Sequence, residues 1–153
     1  MKEILVREAE EKDLPALTRL EQECFSLPHT EEQLRGELRD SYHTLLAAER
    51  NGEVLGYAGM SHILDEGYIS NVAVFPQFRR QGAADAILTE MLAQCRELEL
   101  AFLSLEVRSR NDPAIALYKK HGFEKVGLQK NAYSMPKDDA IIMTKYLNRE
   151  EPV

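Results

Sequence analysis

The chain has 153 residues, and its 19 Lys and Arg against 26 Asp and Glu give a formal net charge of −7. This length suits one compact domain, which we expect at residues 1–147 with a short tail at 148–153. The acidic balance argues against a general nucleic-acid-binding protein and fits either a basic or amine-bearing partner or simple solubility.

The first half of the chain is predicted to hold one strand, two helices and then three strands. Residues 4–7 form the first strand, and Asp13 is the expected N-cap of a helix with leucines at helical spacing. Thr30 and Gln33 form a capping-box pattern for a second helix. The turn signal Asn51-Gly52 then favours a hairpin. The three strands are expected at residues 44–49, 54–63 and 68–75.

The second half is predicted to alternate between helices and strands. A long helix follows Gly82, because apolar residues from Ala84 to Leu98 repeat with a period close to 3.6. Asn111 or Asp112 is expected to cap the last helix, and Gly122 to end it. The remaining strands are expected at residues 101–107, 125–131 and 139–147. The chain is thus predicted to be α/β (α+β), with the order β-α-α-β-β-β-α-β-α-β-β.

The segment between the fourth strand and the long helix is suited to binding a phosphate. The start of a helix offers unpaired backbone N–H groups and the positive end of the helix dipole, and a glycine allows a close approach. The chain has neither GxGxxG nor a P-loop pattern, which disfavours dinucleotide and ATP sites of those types. A charged turn without a ligand is the alternative that the spacing leaves open. The segment reads Arg79-Arg80-Gln81-Gly82-Ala83-Ala84.

The same segment resembles the acetyl-CoA-binding motif of the GCN5-related N-acetyltransferase (GNAT) family, in which Q/R-x-x-G-x-G/A follows a strand. The resemblance covers most of the chain. It continues through residues 105–108, 111, 114–118 and 122–123 and ends with Asn131, Tyr133, Pro136 and residues 139–143. Within the family it is similar to the RimI-type branch, which acetylates the N-terminal alanine of a small-subunit ribosomal protein. The resemblance implies a GNAT fold, with a mixed central sheet of about seven strands and four helices. It also implies direct acetyl transfer from acetyl-CoA to an amine in a ternary complex.

The resemblance further implies where acetyl-CoA binds. The backbone amides of the segment from Arg79 to Ala84 would hold the pyrophosphate. The strand residues Val72, Ala73 and Val74 would run beside the pantetheine arm, and Asn111 would form a hydrogen bond with the cofactor arm.

Two further residues are candidates for the chemistry. Glu106 lies near the C-terminal end of a predicted buried strand and Tyr118 lies in the following helix, so both could face one crevice. The resemblance makes Glu106 the general base and Tyr118 the general acid. The residues alone leave open that Glu106 is solvated or paired with Arg108 or Arg110, and that Tyr118 belongs to the core.

The acceptor is expected between the connection of the first two helices and the last hairpin, where Phe25 and Tyr133 are the candidate contacts. RimI-type sequences usually have Trp where His29 stands and Tyr where Ala132 stands, and these differences concern the acceptor. The alternatives are another protein N-terminus, a lysine or a small amine. A non-catalytic acetyl-CoA-binding module is the alternative of a different class.

Other chemistries find little support in the sequence. Cys24 and Cys95 fall on apolar helical faces, which is typical of structural thiols. No CxxC or HExxH occurs, so no metal is expected, and the absence of GxSxG disfavours acyl transfer through a serine. The charged start of the chain does not resemble a signal peptide, and no apolar run is long enough for a membrane span. We therefore expect a cytoplasmic protein without a membrane or nucleic-acid partner.

Overall fold

The computed structural model describes residues 3–148, and the element order within them is the predicted one. Short 3-10 turns at Glu11–Asp13 and Pro76–Phe78 are added to it. The strands are β1 (Leu5–Glu8), β2 (His43–Arg50), β3 (Glu53–Ile63), β4 (Glu66–Val74), β5 (Phe102–Arg108), β6 (Glu124–Ser134) and β7 (Lys137–Tyr146). The helices are α1 (Leu14–Cys24), α2 (Glu31–Arg39), α3 (Ala83–Glu97) and α4 (Asp112–Lys120).

The strands follow the order β1-β2-β3-β4-β5-β7-β6. β4 and β5 are parallel, whereas the pairs β1–β2, β2–β3, β5–β7 and β6–β7 are antiparallel. A mixed seven-stranded sheet with four helices, as predicted, is therefore confirmed within the described residues. The parallel ladder joins Glu66, Gly67 and Tyr68 to residues 102–104.

Residue contacts divide the chain into two compact units. Of the described residues, the first unit holds 3–61 and 70–91, and the second holds 62–69 and 92–148. The expectation of one domain over residues 1–147 remains a prediction. The predicted tail lies outside the described residues, apart from Asn148.

The first unit has a core built from leucines of α1 and α2 together with residues of β2, β3 and β4. Leu14, Leu17 and Leu20 are fully buried, as their helical spacing predicts. The capping box of α2 is confirmed, because Gln33 N–H donates to Thr30 Oγ1 over 3.1 Å and Thr30 N–H donates to Gln33 Oε1 over 2.8 Å.

The start of α1 differs from the prediction. Asp13 lies in the 3-10 turn and its side chain does not cap α1. The carboxylate instead accepts hydrogen bonds of 2.6 and 3.0 Å from Arg7 and one of 2.8 Å from Glu10 N–H. Burial opposes the charge of Asp13, but these bonds outweigh it and lower the pKa of the carboxyl group. An ion pair with β1 therefore replaces the expected cap.

The second unit contains the last hairpin, which is longer than predicted. β6 continues to Ser134, which pairs with Lys137 of β7, so that Met135 and Pro136 form a tight turn where a seven-residue loop was expected. The register is irregular between Gln129 and Tyr133. The pairing places Tyr133 opposite Asp138.

The apolar stripe of the long helix is also shorter than predicted. α3 ends at Glu97, and Leu98 beyond it is 46% exposed. Within the described residues, no helix combines the length and the apolar character that crossing a membrane would need.

Candidate functional site

The segment from Arg79 to Ala84 has the backbone geometry of an anion site. Arg80 and Gly82 have positive φ angles of 64° and 93°, and α3 begins directly after Gly82. Ala86 N–H donates to Gly82 O over 3.0 Å, so the helical ladder starts there and the preceding amides lie at the helix N-terminus. A Cβ built on Gly82 meets no protein atom within 4 Å, so a ligand can approach this backbone closely. These features fit a phosphate group.

The side chains of this segment are held mainly by the protein. Arg79 Nε donates to Val74 O over 3.3 Å, and Arg79 Nη2 lies 3.8 Å from Cys24 Sγ. Gln81 Oε1 accepts a 2.6 Å hydrogen bond from Arg50 Nη2. The guanidinium of Arg79 is therefore held at the end of β4, whereas the residue Arg80 is exposed.

The end of β4 contains the three residues predicted to lie beside pantetheine. Ala73 is buried, whereas Val72 and Val74 are half-buried. A Cβ at Gly56 of β3 would lie 2.5 Å from Ala73 O, so the close approach of these two backbones requires a glycine there. The sequence showed Gly56 only as an interruption of β3, because its partner is a long-range one.

In the second unit, Glu106 and Tyr118 have opposite degrees of exposure. Glu106 lies opposite Ile142 in the β5–β7 ladder, and its side chain is exposed although most of the strand is buried. Its neighbours Leu105 and Val107 are buried, and Glu106 projects from the opposite face of β5. Glu106 is therefore accessible to an acceptor.

Tyr118 is 7% exposed, and its ring lies edge-on to Phe123 at 5.7 Å. Burial, with a smaller contribution from Tyr133, raises the pKa of Tyr118 to about 12. The phenol hence stays protonated at neutral pH and can act as a hydrogen-bond donor.

Asn111 caps α4, as predicted, and its Oδ1 accepts a 3.3 Å bond from Ala114 N–H. Because Oδ1 forms the cap, the side-chain N–H groups of Asn111 are the ones that could donate to an acceptor atom of a cofactor.

Arg108 is a residue of this unit whose position the sequence did not reveal. Its guanidinium carbon lies 4.2 Å from the centroid of the Tyr133 ring. Its nitrogens donate to Pro136 O over 2.6 Å and to Met135 O over 3.2 Å. The sequence suggested an ion pair with Glu106 as an alternative, but Arg108 instead fixes the β6–β7 turn and stacks on Tyr133.

Tyr133 is half-buried, and it connects the candidate groups electrostatically. Burial and the charge of Glu106 raise the pKa of Tyr133, and the phenol of Tyr133 in turn contributes to the raised pKa of Tyr118. Tyr133 is thus close enough to Glu106 and to Tyr118 in the second unit to interact with each of them electrostatically.

Asp138 supports this arrangement from β7. Its carboxylate accepts hydrogen bonds from the hydroxyl of Ser109, from Arg110 N–H over 3.2 Å and from Asp139 N–H over 2.7 Å. The bond from Ser109 is the largest cause of the lowered pKa of Asp138. Asp138 therefore ties the connection after β5 to the last hairpin, a role that no local pattern indicated.

The two cysteines have the properties of structural thiols. Burial raises the pKa of Cys95 to about 11 and also raises the pKa of Cys24, so both are protonated at neutral pH. Among residues 3–148, no group of three His, Cys, Asp or Glu side chains is placed to hold a metal ion.

The chain is similar to known acetyltransferases in sequence and in structure. Residues 8–123 match the model of the acetyltransferase (GNAT) family. The ribosomal protein bS18-alanine N-acetyltransferase of Escherichia coli (strain K12) is 34% identical over 136 residues, which are 88% of this chain and 91% of that protein. The enzyme of the same name from Haemophilus ducreyi is 33% identical over 140 residues, 90% of this chain and 96% of the relative. The crystal structure of the ribosomal-protein-S18-alanine N-acetyltransferase from Escherichia coli has a TM-score of 0.87 and 30% identity, and covers 97% of each chain.

Proposed function

The chain belongs to the GNAT family of acetyltransferases, with acetyl-CoA as its acetyl donor, and we propose that its acceptor is the N-terminal alanine of a small-subunit ribosomal protein. The observation that supports this acceptor is the extent of the similarity. Identity of 34% to an enzyme named for that reaction extends over 88% of the chain, and so includes residues of both compact units.

For acetyl-CoA, we propose that the backbone of residues 79–84 binds the pyrophosphate. The positive φ angles of Arg80 and Gly82, together with the start of α3, support this placement. The residues Val72–Val74 lie beyond the ladder that joins Glu66–Tyr68 to β5, and they would pair with the pantetheine amides. Asn111 would donate to the same arm through its side-chain amide.

For catalysis, acetyl-CoA supplies an acetyl group activated as a thioester. Residues of the second unit would accept the amine proton and donate a hydrogen bond to the leaving group. The acceptor amine has a pKa near 8 and must be neutral to attack the carbonyl carbon. Glu106 would accept the amine proton, directly or through a water molecule. Tyr118 would donate a hydrogen bond to the sulfur as the C–S bond breaks and negative charge develops there.

For the acceptor, two segments are the candidate contacts. We define the acceptor loop as residues 25–30, between α1 and α2. Phe25 of this loop packs in part against the core of the first unit. The guanidinium of Arg108 stacks on the ring of Tyr133 of β6 and holds it in place. Tyr133 would therefore present a rigid aromatic surface to the peptide.

Competition between acceptors tests this proposal. The purified protein, with limiting acetyl-CoA, is given a peptide with the alanine-starting N-terminus of the ribosomal protein. An N-formylated copy of that peptide, a lysine-containing peptide and a polyamine serve as competitors. We expect kcat/KM to be highest for the peptide with a free N-terminal alanine. Preferred acetylation of the lysine peptide or the polyamine would contradict the proposed acceptor, and tight acetyl-CoA binding without any transfer would contradict catalysis.

A further inference from the structure

Glu21 of α1 is a buried carboxylate to which neither the family motif nor the proposed chemistry gives a role. Its residue is 1% exposed. Oε1 accepts a 2.7 Å hydrogen bond from the backbone N–H of His29, and Oε2 accepts a 2.8 Å bond from Asn71 Nδ2. Tyr57 OH donates a further bond to Oε2. One carboxylate thus joins the acceptor loop to β3 and β4, all within the first unit.

The partners of Glu21 are themselves fixed. Tyr57 is 1% exposed, and its hydroxyl accepts a 3.3 Å bond from Asn71 Nδ2 while donating to Glu21. Burial, followed by the bond to Glu21, raises the pKa of Tyr57, so the hydroxyl remains a donor. Asn71 directly precedes Val72 in β4. The network therefore links the acceptor loop to the strand segment proposed to hold pantetheine.

The three donors explain why a carboxylate occupies this position. An ionised Glu has only acceptor sites, whereas Gln has one oxygen and places two N–H donors among groups that also donate. A buried donor without an acceptor is costly, so the loop position seen here depends on both oxygens of Glu21. A core side chain that served packing alone would not need to be charged.

The loop has one further contact near the same residue. His29 Nδ1 lies 3.7 Å from Glu37 Oε1 of α2. At 3.7 Å this side-chain contact is too long for a hydrogen bond, whereas the backbone bond is 2.7 Å. The backbone bond from His29 N–H to Glu21 is therefore the better fixed of the two contacts described at His29.

We propose that Glu21 is a positioning residue that sets the acceptor loop for the N-terminus of the incoming protein. The proposal rests on the proposed function, because it takes the loop as a wall of the acceptor site. Glu21 does not touch the reacting atoms in this account. It acts through His29 and the loop, so its loss should weaken acceptor binding far more than acetyl-CoA binding.

The anchor itself is tested without any assay of activity. Amide hydrogen exchange at His29 is measured by NMR in the wild-type protein, in Glu21→Gln and in Glu23→Gln. Glu23 is the matched control, because it lies in α1 two residues later and is exposed. We expect exchange at His29 to accelerate by about 10-fold or more in Glu21→Gln, because a neutral amide replaces the charged acceptor and adds N–H donors where three donors already converge. Exchange should be unchanged in Glu23→Gln. Equal exchange in all three proteins would overturn the anchor.

Steady-state kinetics then test the positioning role. In Glu21→Gln, KM for the alanine-starting peptide should rise by about 10-fold or more, with KM for acetyl-CoA within about twofold of the wild type. Tyr57→Phe keeps the ring and the bond from His29, so it should give a smaller rise in the peptide KM. It also serves as the test if Glu21→Gln does not fold. Unchanged peptide KM, or an equal rise in both KM values, would reduce Glu21 to a purely structural residue.

The two proposals fail differently. A wild-type protein that acetylates no N-terminal peptide would contradict the proposed function, and with it the positioning role. Exchange at His29 would still decide whether Glu21 anchors the loop.

Discussion

Tyr118 is predicted to stabilise the departing thiolate by a hydrogen bond and not by complete proton transfer. Its pKa of about 12 results from burial, whereas an ordinary thiol has a pKa of about 8.5. The difference of about 3.5 units corresponds to roughly 5 kcal/mol, because one pKa unit equals about 1.4 kcal/mol. Full transfer from tyrosine to thiolate would be uphill by that amount.

The variant Tyr118→Phe removes this donor and leaves the ring in place beside Phe123. A hydrogen bond to a charged group contributes roughly 1.5–3 kcal/mol, so kcat should fall by about 10- to 150-fold. KM for acetyl-CoA should change little, because the bond strengthens only as charge develops on sulfur. The rate at which the CoA thiol is released measures kcat. The matched control is Tyr68→Phe, because Tyr68 is an exposed tyrosine of β4.

The pH dependence provides a second test. A phenol with a pKa of about 12 remains protonated as the pH rises from 7 to 10 and loses its proton only near pH 12. The contribution of Tyr118 should hence be constant over that range. In the wild type, kcat should therefore not fall near pH 10 through ionisation of Tyr118, a fall that Tyr118→Phe would lack. An unchanged kcat in the variant, or such a fall in the wild type, would refute this reasoning.

Three further predictions concern the base, the cofactor and the overall charge. Glu106→Gln should lower the rate most below about pH 8, where the amine is protonated, and an equal loss at every pH would indicate positioning instead. Gly82→Glu should weaken acetyl-CoA binding by about 100-fold or more through bulk and charge. The control Gly82→Ala introduces the same backbone strain, since φ is 93°, but no charge. An equal effect of both variants would argue against a phosphate site. KM for a basic peptide should rise with salt if the net charge of −7 attracts the acceptor, and a salt-independent KM would leave that charge a matter of solubility.

The elements that could be predicted from the sequence depend on neighbours in the chain. The capping box of Thr30 and Gln33 and the cap at Asn111 use residues three positions apart, and the structure confirms both. The start of α3 after Gly82 could also be predicted from neighbouring residues, because a glycine before an amphipathic repeat marks a helix boundary.

The parts that could not be predicted depend on residues far apart in the sequence. Arg108 reaches carbonyl groups 27 and 28 positions away, and the bonds of Glu21 to Tyr57 and Asn71 span 36 and 50 positions. No period or spacing encodes such contacts. The exposure of Glu106 could not be decided from the sequence for the same reason, since a short apolar strand does not show which of its faces is covered.

The most direct test of the central claim is the location of the acetyl group on the product. The protein is incubated with acetyl-CoA and the full ribosomal protein with a free N-terminal alanine, and tandem mass spectrometry locates each added acetyl group. We expect one acetyl group, on the α-amine of that alanine, and much less of it in Tyr118→Phe at matched short times. Acetyl groups on lysine side chains with an unmodified N-terminus would contradict this expectation.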